Sequence, residues 1–413
     1  MKKMFLQEMQ ERGYLSQCTD LDKLSEICSK KSISAYIGFD CTASSLHVGS
    51  LLQIMILKLL QKHGHRPIVL LGGGTTLIGD PSGKDTTRKI LEENQIKKNI
   101  QSIKKVFSKI LNTSNKKIAP VYVDNAKWLN ELNYIKFLRE IGSNFTINKM
   151  LTFDSVKLRL EREQSLSYME FNYMILQAFD FYQLYKNNNC ILQIGGSDQW
   201  GNIVNGIDLI RRKLGKEAYG LTSPLITLAS GAKMGKTEKG AIWLNKDLLK
   251  PYDYWQFWRN TDDRDVKKFL NYFTEISTQE LKDIFQKEQN INNLKILLAN
   301  EATKVLHGET ESKKAEQTAK DIFIGGGFGL GLPEIKIRSN ILKKGINILD
   351  LIAENKIVPS KSEARRVIAN KGFKIDGVTI EDEKKILKEV DFKKKKLKLS
   401  YGKKKHFLIK IIQ

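Results

Sequence analysis

The sequence predicts an α/β protein: a doubly wound, mostly parallel sheet, then a helical segment and a small basic domain. Between residues 33 and 245, short apolar strands alternate with amphipathic helices, the pattern of a parallel sheet covered on both faces. The pattern is helical from 251 to about 322, and lysine and arginine accumulate towards the C-terminus. These observations predict a sheet domain over 1–245, an α-helical domain over 246–324, a linker over 325–345 and a small basic α+β domain over 346–413.

The first predicted strand leads through a polar loop into a buried helix. Residues 33–39 favour a strand, and the apolar run 51–60 predicts a buried helix. The helix start offers unpaired N–H groups to an anion. His47 and Gly49 precede that helix, where an imidazole can donate to phosphate and a glycine lets a ligand approach the backbone. The alternative is a plain connection that carries one histidine.

Three further buried strands are predicted, over 67–71, 119–123 and 190–194. Each of them ends in glycine or polar residues, and Asn125 is an N-cap candidate for a short helix that carries Trp128. Loops that follow parallel strands gather along one edge of a sheet. We therefore expect ligand contacts from several of these loops.

The predicted helix 169–186 carries polar residues on one face. Tyr173, Gln177 and Asp180 fall at positions i, i+4 and i+7, so they share a side of the helix. Burying polar groups without partners is costly. The pattern therefore indicates a pocket for a polar small molecule.

Two glycine-containing loops have the composition of phosphate-binding segments. In Gly79-Asp80-Pro81-Ser82-Gly83-Lys84, the first glycine is one residue too close to the Gly-Lys pair and Asp85 follows the lysine, which argues against a P-loop. Asp80 suits an ammonium group, whereas Lys84 and Arg88 suit phosphate oxygens.

The second loop is Gly231-Ala232-Lys233-Met234-Gly235-Lys236-Thr237. Two lysines around a glycine, with a neighbouring hydroxyl, can wrap a triphosphate. The alternative is a solvated hairpin turn in a lysine-rich protein.

Charge and cysteine content limit the class of protein. The net charge is +23, and residues 341–413 hold 20 Lys and Arg against 9 Asp and Glu, so this tail supplies +11 of it. Nucleic acid is the expected partner of such a tail, in which Arg365, Arg366, Lys371 and Lys374 would form a phosphate-tracking face. A general surplus of surface lysine is the alternative.

The four cysteines lie far apart, which indicates neither a disulfide framework nor a zinc site. No apolar run reaches the roughly 20 residues that span a membrane, and the N-terminus lacks a signal-peptide pattern. A cytoplasmic location is the resulting expectation.

The order of these motifs resembles a known family. His47-Val48-Gly49-Ser50 and Lys233-Met234-Gly235-Lys236-Thr237 resemble the HIGH and KMSKS signatures of class I aminoacyl-tRNA synthetases. Tyr36-x-Gly-x-Asp40, the Asp80 loop, Tyr173-x-x-x-Gln177-x-x-Asp180 and Gln193-x-Gly-Gly-Ser-Asp198-Gln199-Trp200 look like those of bacterial-type tyrosyl-tRNA synthetases. The tail resembles a small RNA-binding domain also found in a ribosomal protein. The likeness spans nearly the whole chain.

The resemblance implies a Rossmann-like catalytic domain that activates L-tyrosine with ATP to tyrosyl-adenylate and pyrophosphate, then transfers tyrosine to the 3′ end of tRNA(Tyr). It implies a tyrosine site of Tyr36, Asp80, Tyr173, Gln177, Asp180 and Gln199. It implies catalytic contacts with the phosphates from His47, Lys84, Arg88, Lys233, Lys236 and Thr237. The ATP site would add Gly38, Asp40, Thr42, Gly49, Ser50, Gly196 and Asp198.

Further implications concern the partners. Arg211 and Arg212, on the helix after Trp200, are candidates for contact with the tRNA acceptor stem, and surface solvation is the equal alternative. In the tail, the candidates for tRNA contact are Arg365, Arg366 and Lys371. Mg²⁺ would accompany ATP, with no tightly bound cofactor and no dedicated metal ligands, and the protein would be a homodimer.

The signatures depart from the family pattern at two positions. Ser50 stands where the family usually has His or Asn, and its shorter side chain predicts weaker transition-state contact. Gly235 is expected only to add flexibility to its loop. Another nucleotidyl transferase of the same fold and a non-catalytic RNA-binding relative stay as alternatives, whereas Tyr36 and Asp180 disfavour a tryptophan-specific relative.

Overall fold

The computed structural model describes residues 4–80, 91–232, 234–237, 240–325, 332–393, 395–402 and 405–412, without the side chains of 154, 155, 236, 237 and 322–325. The chain forms two compact units. One comprises Met1–Leu249 with Asn260–Leu298, and the other comprises Lys250–Arg259 with Ala299–Gln413.

The strands are β1 Gln17–Cys18, β2 Ser34–Asp40, β3 Arg66–Gly72, β4 Val121–Asp124, β5 Cys190–Gly196, β6 Tyr219–Ser223, β7 Lys236–Thr237, β8 Gly240–Ala241, β9 Glu334–Arg338, β10 Ile346–Asn347, β11 Phe373–Ile375, β12 Val378–Thr379, β13 Ile386–Leu387, β14 Lys396–Tyr401 and β15 Lys405–Ile412. The helices are α1 Phe5–Arg12, α2 Leu21–Lys30, α3 Leu51–Lys62, α4 Thr75–Ile78, α5 Glu93–Ile110, α6 Ala126–Leu129, α7 Tyr134–Glu140, α8 Ile147–Met150, α9 Asp154–Glu161, α10 Tyr168–Asn188, α11 Trp200–Leu214, α12 Pro251–Arg259, α13 Val266–Phe273, α14 Thr278–Lys287, α15 Ile291–His307, α16 Glu309–Gly325, α17 Ser339–Lys344, α18 Ile348–Glu354 and α19 Lys361–Ala369.

The first unit is built on a six-stranded sheet with the order β1-β6-β5-β2-β3-β4. Its strands are parallel except β1, which pairs antiparallel with β6. The predicted doubly wound α/β fold is therefore confirmed. The chain runs outward from β2 to β3 and β4 on one side and from β5 to β6 on the other, so the strand order reverses between β2 and β5. Ligands bind at such a reversal, beyond the carboxyl ends of the strands.

Apolar residues on both faces explain why this sheet is buried. In β3, every residue after Arg66 is buried, as expected for a parallel strand between two helical layers. The helix α3 is apolar nearly all round and has nine of its residues buried. By contrast, α5 buries one stripe, which includes Ile100, Ile103 and Phe107, and exposes lysines on its other side.

The second unit contains a five-stranded sheet with the order β12-β11-β14-β15-β9. Leu397, Leu399 and Ile409 on one face of this sheet pack with Leu351 and Ile368, which come from α18 and α19. These two helices precede β11, which turns into β12, so the predicted α+β character of the tail is present. Among the helices of the described ranges, none is long and apolar enough to cross a membrane.

The predicted linker over 325–345 needs a correction in its second half. Residues 334–338 form β9 and 339–344 form α17, and β9 pairs in parallel with β15. Ile335 and Ile337 alternate with exposed residues and enter the hydrophobic core. The strand is short and its partner lies about 70 residues further along the chain, which is why local sequence does not reveal it. The other domain limits stay predictions.

Candidate active site

A cavity lies where the strand order reverses, between the carboxyl ends of β2 and β5. Its volume is about 170 Å³, whereas one water needs only about 10–15 Å³. The space therefore admits a small organic molecule. Predicted site residues that line it are Tyr36, Gly38, Asp40, Asp80, Tyr173, Gln177, Asp180, Gly196 and Gln199.

Strand register brings the sheet residues of this group together. Tyr36 lies opposite Gln193 of β5, while Asp40 lies opposite Gly72 of β3. Tyr36, Gly38 and Asp40 alternate along β2 and therefore project to the same face. The amino-acid and nucleotide ends of the predicted site consequently follow one another along a single strand.

Helix α10 supplies the opposite wall. It begins with a capping box in which Ser167 and Glu170 exchange hydrogen bonds, so the helix start is fixed one residue before the predicted limit. Its buried residues include Tyr173 and Asp180, as the predicted spacing requires.

An amide network connects this wall to the loops beside it. Gln177 Nε2 donates to Gln199 Oε1 at 3.2 Å, and Gln199 Nε2 donates to Asp80 Oδ2 at 2.9 Å. Asn202 Nδ2 donates to Gln177 Oε1 at 3.1 Å and to Gln199 Oε1 at 3.2 Å. The network orients the Asp80 carboxylate and the two glutamines as a set of polar groups that suits a cation.

Asp180 is a buried carboxylate at the inner end of the cavity, 2% exposed. Trp128 Nε1 donates to its Oδ1 at 2.7 Å, and Asn125 Nδ2 donates to its Oδ2 at 2.9 Å. Burial raises the pKa of Asp180 to about 7, although these two hydrogen bonds oppose the rise. Near neutral pH the carboxylate can therefore accept a proton or a hydrogen bond from a ligand.

The hydroxyl of Tyr36 is buried and has no hydrogen-bond partner among the described residues. Burial, together with the charge of Asp180, holds the pKa of Tyr36 well above its ordinary value, so the phenol is protonated. The Oε1 of Gln193, opposite Tyr36 on β5, also has no partner in the described part of the chain. Buried polar groups are rarely left in this state. The inner end of the cavity thus matches a ligand that carries a hydroxyl.

The two signature loops touch each other beside β2. Val48 donates its backbone N–H to the Ile242 carbonyl at 2.9 Å, and Leu244 donates to the Leu46 carbonyl at 2.9 Å. His47 Nδ1 accepts from the Gly49 N–H at 3.0 Å. Because Nδ1 is the acceptor, neutral His47 carries its proton on Nε2, which can donate to a phosphate.

Gly235 allows its loop to approach His47 closely. The expectation that this glycine only adds flexibility is therefore corrected. The Gly235 φ of +111° lies in a region that side chains avoid, and a β-carbon there would lie 2.4 Å from His47 Nδ1. A β-carbon on Gly49 would lie 2.8 Å from the Met234 carbonyl oxygen. Both glycines therefore allow the two loops to approach closely.

The remaining predicted residues lie outside this cavity or outside the description. Thr42 is exposed in the loop after β2, Ser50 precedes α3, and Asp198 lies next to Gly196 in the turn after β5. Residues outside the described part are Lys84, Arg88, Lys233 and the side chains of Lys236 and Thr237.

The cations predicted to bind tRNA have intramolecular partners. On α11, Arg211 pairs with Asp208 at 3.1 Å and Arg212 donates to the Asn144 carbonyl at 2.7 Å. In the second unit, the pairs are Arg365 with Glu383 at 3.8 Å, Arg366 with Glu363 at 2.5 Å and Lys371 with Glu381 at 2.9 Å. Exposed pairs of this kind are weak and can exchange a carboxylate for a phosphate.

Sequence analysis missed the residues that support Asp180 and the amide network. Asn125 was expected only to cap a helix, and Asn202 and Gln193 had no assigned role. One available signal was that Asn125 and Trp128 follow the carboxyl end of a predicted strand, where ligand loops gather.

Comparisons with known proteins agree with this geometry. The family described as "tRNA synthetases class I (W and Y)" matches residues 29–324, and the "Tyrosine--tRNA ligase SYY-like C-terminal domain" matches residues 326–409. The tyrosine--tRNA ligase of Pelagibacter ubique is 60% identical over 408 residues, which cover 99% of each chain. That of Rickettsia conorii is 52% identical over 410 residues, covering 98% of this chain and all of the relative.

A solved structure gives the same answer. The C-terminally truncated mitochondrial tyrosyl-tRNA synthetase of Aspergillus nidulans superposes with a TM-score of 0.70 at 28% identity, covering 78% of this chain and 95% of that one. The family matches extend from the sheet unit into the C-terminal domain, and the matched part of the sheet unit contains both signature loops and the cavity. The chain belongs to the tyrosyl-tRNA synthetase family of the class I tRNA synthetases.

Proposed function

We propose that Tyr36 and Asp180 bind the phenolic hydroxyl of L-tyrosine in the cavity between β2 and β5. The chain is a tyrosine--tRNA ligase, which activates tyrosine with ATP and charges tRNA. The observation that carries the assignment is that two buried groups lie at the inner end of the cavity. They are the carboxylate of Asp180 and the hydroxyl of Tyr36, which has no hydrogen-bond partner among the described residues. A substrate phenol can accept a hydrogen bond from the Tyr36 hydroxyl and donate one to the Asp180 carboxylate. Phenylalanine leaves them unmade, a form of discrimination for which the tyrosyl enzymes are themselves the usual example.

The α-ammonium group of tyrosine would lie against the amide network. Asp80 supplies the charge, Gln177 and Tyr173 line the same cavity, and Gln199 orients Asp80 at 2.9 Å. With both ends of the amino acid held, its carboxylate points towards the carboxyl end of β2. Positioning of this kind lowers the barrier without a protein nucleophile.

In the activation step, a carboxylate oxygen of tyrosine attacks the α-phosphorus of ATP. The bond between that phosphorus and the bridging oxygen breaks, and pyrophosphate leaves with the electron pair. His47 would donate from Nε2 to the phosphates. The other residues proposed to contact the phosphates are Lys84, Arg88, Lys233, Lys236 and Thr237. The remaining ATP contacts would come from Gly38, Asp40, Thr42, Gly49, Ser50, Gly196 and Asp198. Charge stabilisation of the leaving group is then the main contribution to rate.

Mg²⁺ would enter with ATP. Such a cation would be bound mainly by the phosphate oxygens of the nucleotide. The sequence-based expectation of a cytoplasmic location stays a prediction.

An exposed apolar surface supports a homodimer. Eight of the fifteen large hydrophobic side chains exposed in the described part of the chain lie between residues 134 and 168, and Ile135 is 71% exposed. The hydroxyls of Tyr134 and Tyr168 lie 3.1 Å apart, so the two ends of this segment meet. Contiguous exposed apolar surface of this kind marks an interface.

The tRNA-binding roles of Arg211, Arg212, Arg365, Arg366 and Lys371 belong to the same proposal.

Exchange of pyrophosphate into ATP tests the proposed site. We expect exchange with tyrosine and little with phenylalanine or tryptophan, because only tyrosine satisfies Tyr36 and Asp180. Equal exchange with phenylalanine would refute the assigned phenol site, and exchange without any amino acid would indicate another nucleotidyl transferase. Absence of exchange with retained tRNA binding would indicate a non-catalytic relative.

A further inference from the structure

The C-terminal sheet carries three lysines directly opposite one another. Lys396 of β14 pairs with Lys410 of β15, and Lys410 pairs with Lys336 of β9. Residues that alternate with them, such as Leu397, enter the hydrophobic core, so the three lysines lie on the other face. We call this group the lysine row.

Like charges in directly opposed positions destabilise a sheet. Lys410 forms an ion pair with Glu334, whereas Lys336 and Lys396 have no ion pair with a carboxylate in the described part of the chain. Neighbouring strands are about 4.8 Å apart, so the three lysine side chains leave the sheet side by side and concentrate like charge there. The row is an arrangement that folding alone does not favour, and a bound anion would compensate it.

The positive charge continues on the same face beyond the row. Register places Lys398, Lys374 and Arg338 there, and Glu334 is the one carboxylate on this face of the described strands. Lys398 is only 5% exposed, and its burial lowers its pKa. The carboxylate of Asp376, in the turn after β11, acts on buried Lys398 and partly opposes that shift. The other five cations are exposed or half-buried and share this face with one strand carboxylate, Glu334.

The cations predicted to bind phosphate on α19 and just after it differ from the lysine row in their ion pairs. Arg365, Arg366 and Lys371 each have a glutamate partner, which must be displaced before the cation can bind a phosphate. Lys336 is exposed and Lys396 is half-buried, and neither has a carboxylate to displace among the described residues. These two lysines therefore need not break an ion pair within the described residues before they bind a phosphate.

We propose that the lysine row binds the phosphate backbone of tRNA. The proposal rests on the tRNA-charging function and deepens it, since it adds a contact surface to the one formed by Arg365, Arg366 and Lys371. Ammonium groups act as point charges for phosphate and read no sequence, so the row contributes affinity and leaves base recognition to other residues. Counterion release from the RNA makes that affinity salt-dependent.

The test is the double variant Lys336→Gln/Lys396→Gln, which leaves the pair between Lys410 and Glu334 in place. Binding of tRNA(Tyr) transcript to the full-length protein is measured between 50 and 300 mM salt. We expect a dissociation constant about tenfold higher at 150 mM, and a slope of log K against log salt that is smaller by about two. Thermal stability should stay the same or rise, because removal of two like charges relieves repulsion.

The matched control is Lys282→Gln/Lys287→Gln on α14, which removes two exposed lysines and the same net charge. An equal loss of affinity in this control would show a general effect of net charge and overturn the proposal, as would an unchanged salt slope in the row variant. Tyrosine-dependent pyrophosphate exchange is measured in both variants. Its absence in the unmodified chain would refute the proposed function, whereas normal exchange with unaltered tRNA binding would refute only the lysine row.

Discussion

The cavity between β2 and β5 and the lysine row use charge in opposite ways. In the cavity, the buried carboxylate of Asp180 accepts hydrogen bonds from Asn125 and Trp128. A ligand that enters must place a hydrogen-bond donor against it. On the C-terminal sheet, Lys336 is exposed and Lys396 is half-buried, and neither has an ion-pair partner in the described residues. Buried polar groups penalise a wrong ligand, whereas solvent-accessible charges attract any polyanion and are screened by salt. Selectivity for the amino acid and affinity for RNA are therefore separable properties.

Replacing Asp180 with asparagine should have the largest effect on this contrast. The amide cannot accept at both positions, so it opposes one of its present donors and weakens the phenol site. We expect kcat/KM for tyrosine in pyrophosphate exchange to fall by about 100-fold, since hydrogen bonds to buried charged groups contribute about 1.5–3 kcal/mol each. Binding of tRNA should be unchanged.

Thermal unfolding of the Asp180→Asn variant controls for misfolding. The pKa of Asp180 is about 7 in the folded chain and 3.8 ordinarily, so its ionisation subtracts stability as the pH rises from about 4 to 7. An asparagine side chain does not ionise. The stability of the variant relative to the unmodified chain should therefore increase over this interval, and a relative decrease would contradict the pKa assignment.

The next largest effect should come from salt, which we expect to weaken tRNA binding much more than tyrosine binding. Three phosphate contacts on the lysine row alone should lower tRNA affinity by about 20- to 40-fold between 50 and 200 mM salt, and other cation contacts would add to this. The KM for tyrosine should change by less than about twofold, because the cavity is shielded from ions. Equal salt sensitivity in binding assays and exchange assays would remove the distinction between the regions.

The pH dependence of tyrosine activation follows from Asp180. With a pKa of about 7, the ionised fraction falls about tenfold between pH 8 and pH 6, and we expect kcat/KM for tyrosine to fall with it. Lysine ammonium groups stay protonated over this range, so tRNA affinity should be nearly constant. A flat profile for tyrosine would show that Asp180 does not accept the phenol proton.

Replacing Trp128 with phenylalanine should give the smallest effect. The change keeps an aromatic ring but removes the indole donor 2.7 Å from Asp180, and that donor lowers the pKa of the carboxyl. We expect the pH profile to move up by about one unit and kcat/KM at pH 7.5 to fall by about threefold. Activity should recover at pH 9, which a purely structural defect would not allow.

Periodicity in the sequence predicted which residues of one element share a face. The set Tyr173, Gln177 and Asp180 follows from helical spacing, and the loops after β2 and β5 follow from the parallel-sheet pattern. Contacts between elements were harder to predict. Trp128 lies 52 residues before Asp180, and nothing in its local sequence indicates a hydrogen bond.

The approach of the signature loops shows the same limit. Gly235 permits a contact with His47 that depends on the path of two loops nearly 190 residues apart, so its role became visible only in three dimensions. The strand β9 is a further case, because its pairing partner β15 lies about 70 residues downstream. Local sequence determines whether a segment forms a helix or a strand, whereas residues far away in the sequence determine what it packs against.

The pairing of β9 with β15 has a consequence for synthesis on the ribosome. Among the described strands of this sheet, β9 is made first and β15 last, yet they are direct neighbours. At about 5–20 residues per second, β9 waits about 4–15 s with Ile335 and Ile337 exposed before its partner is available. The unit that contains the first residues of the chain can fold meanwhile. Chaperone demand during translation should therefore concentrate in the last few seconds, while the C-terminal sheet is still open.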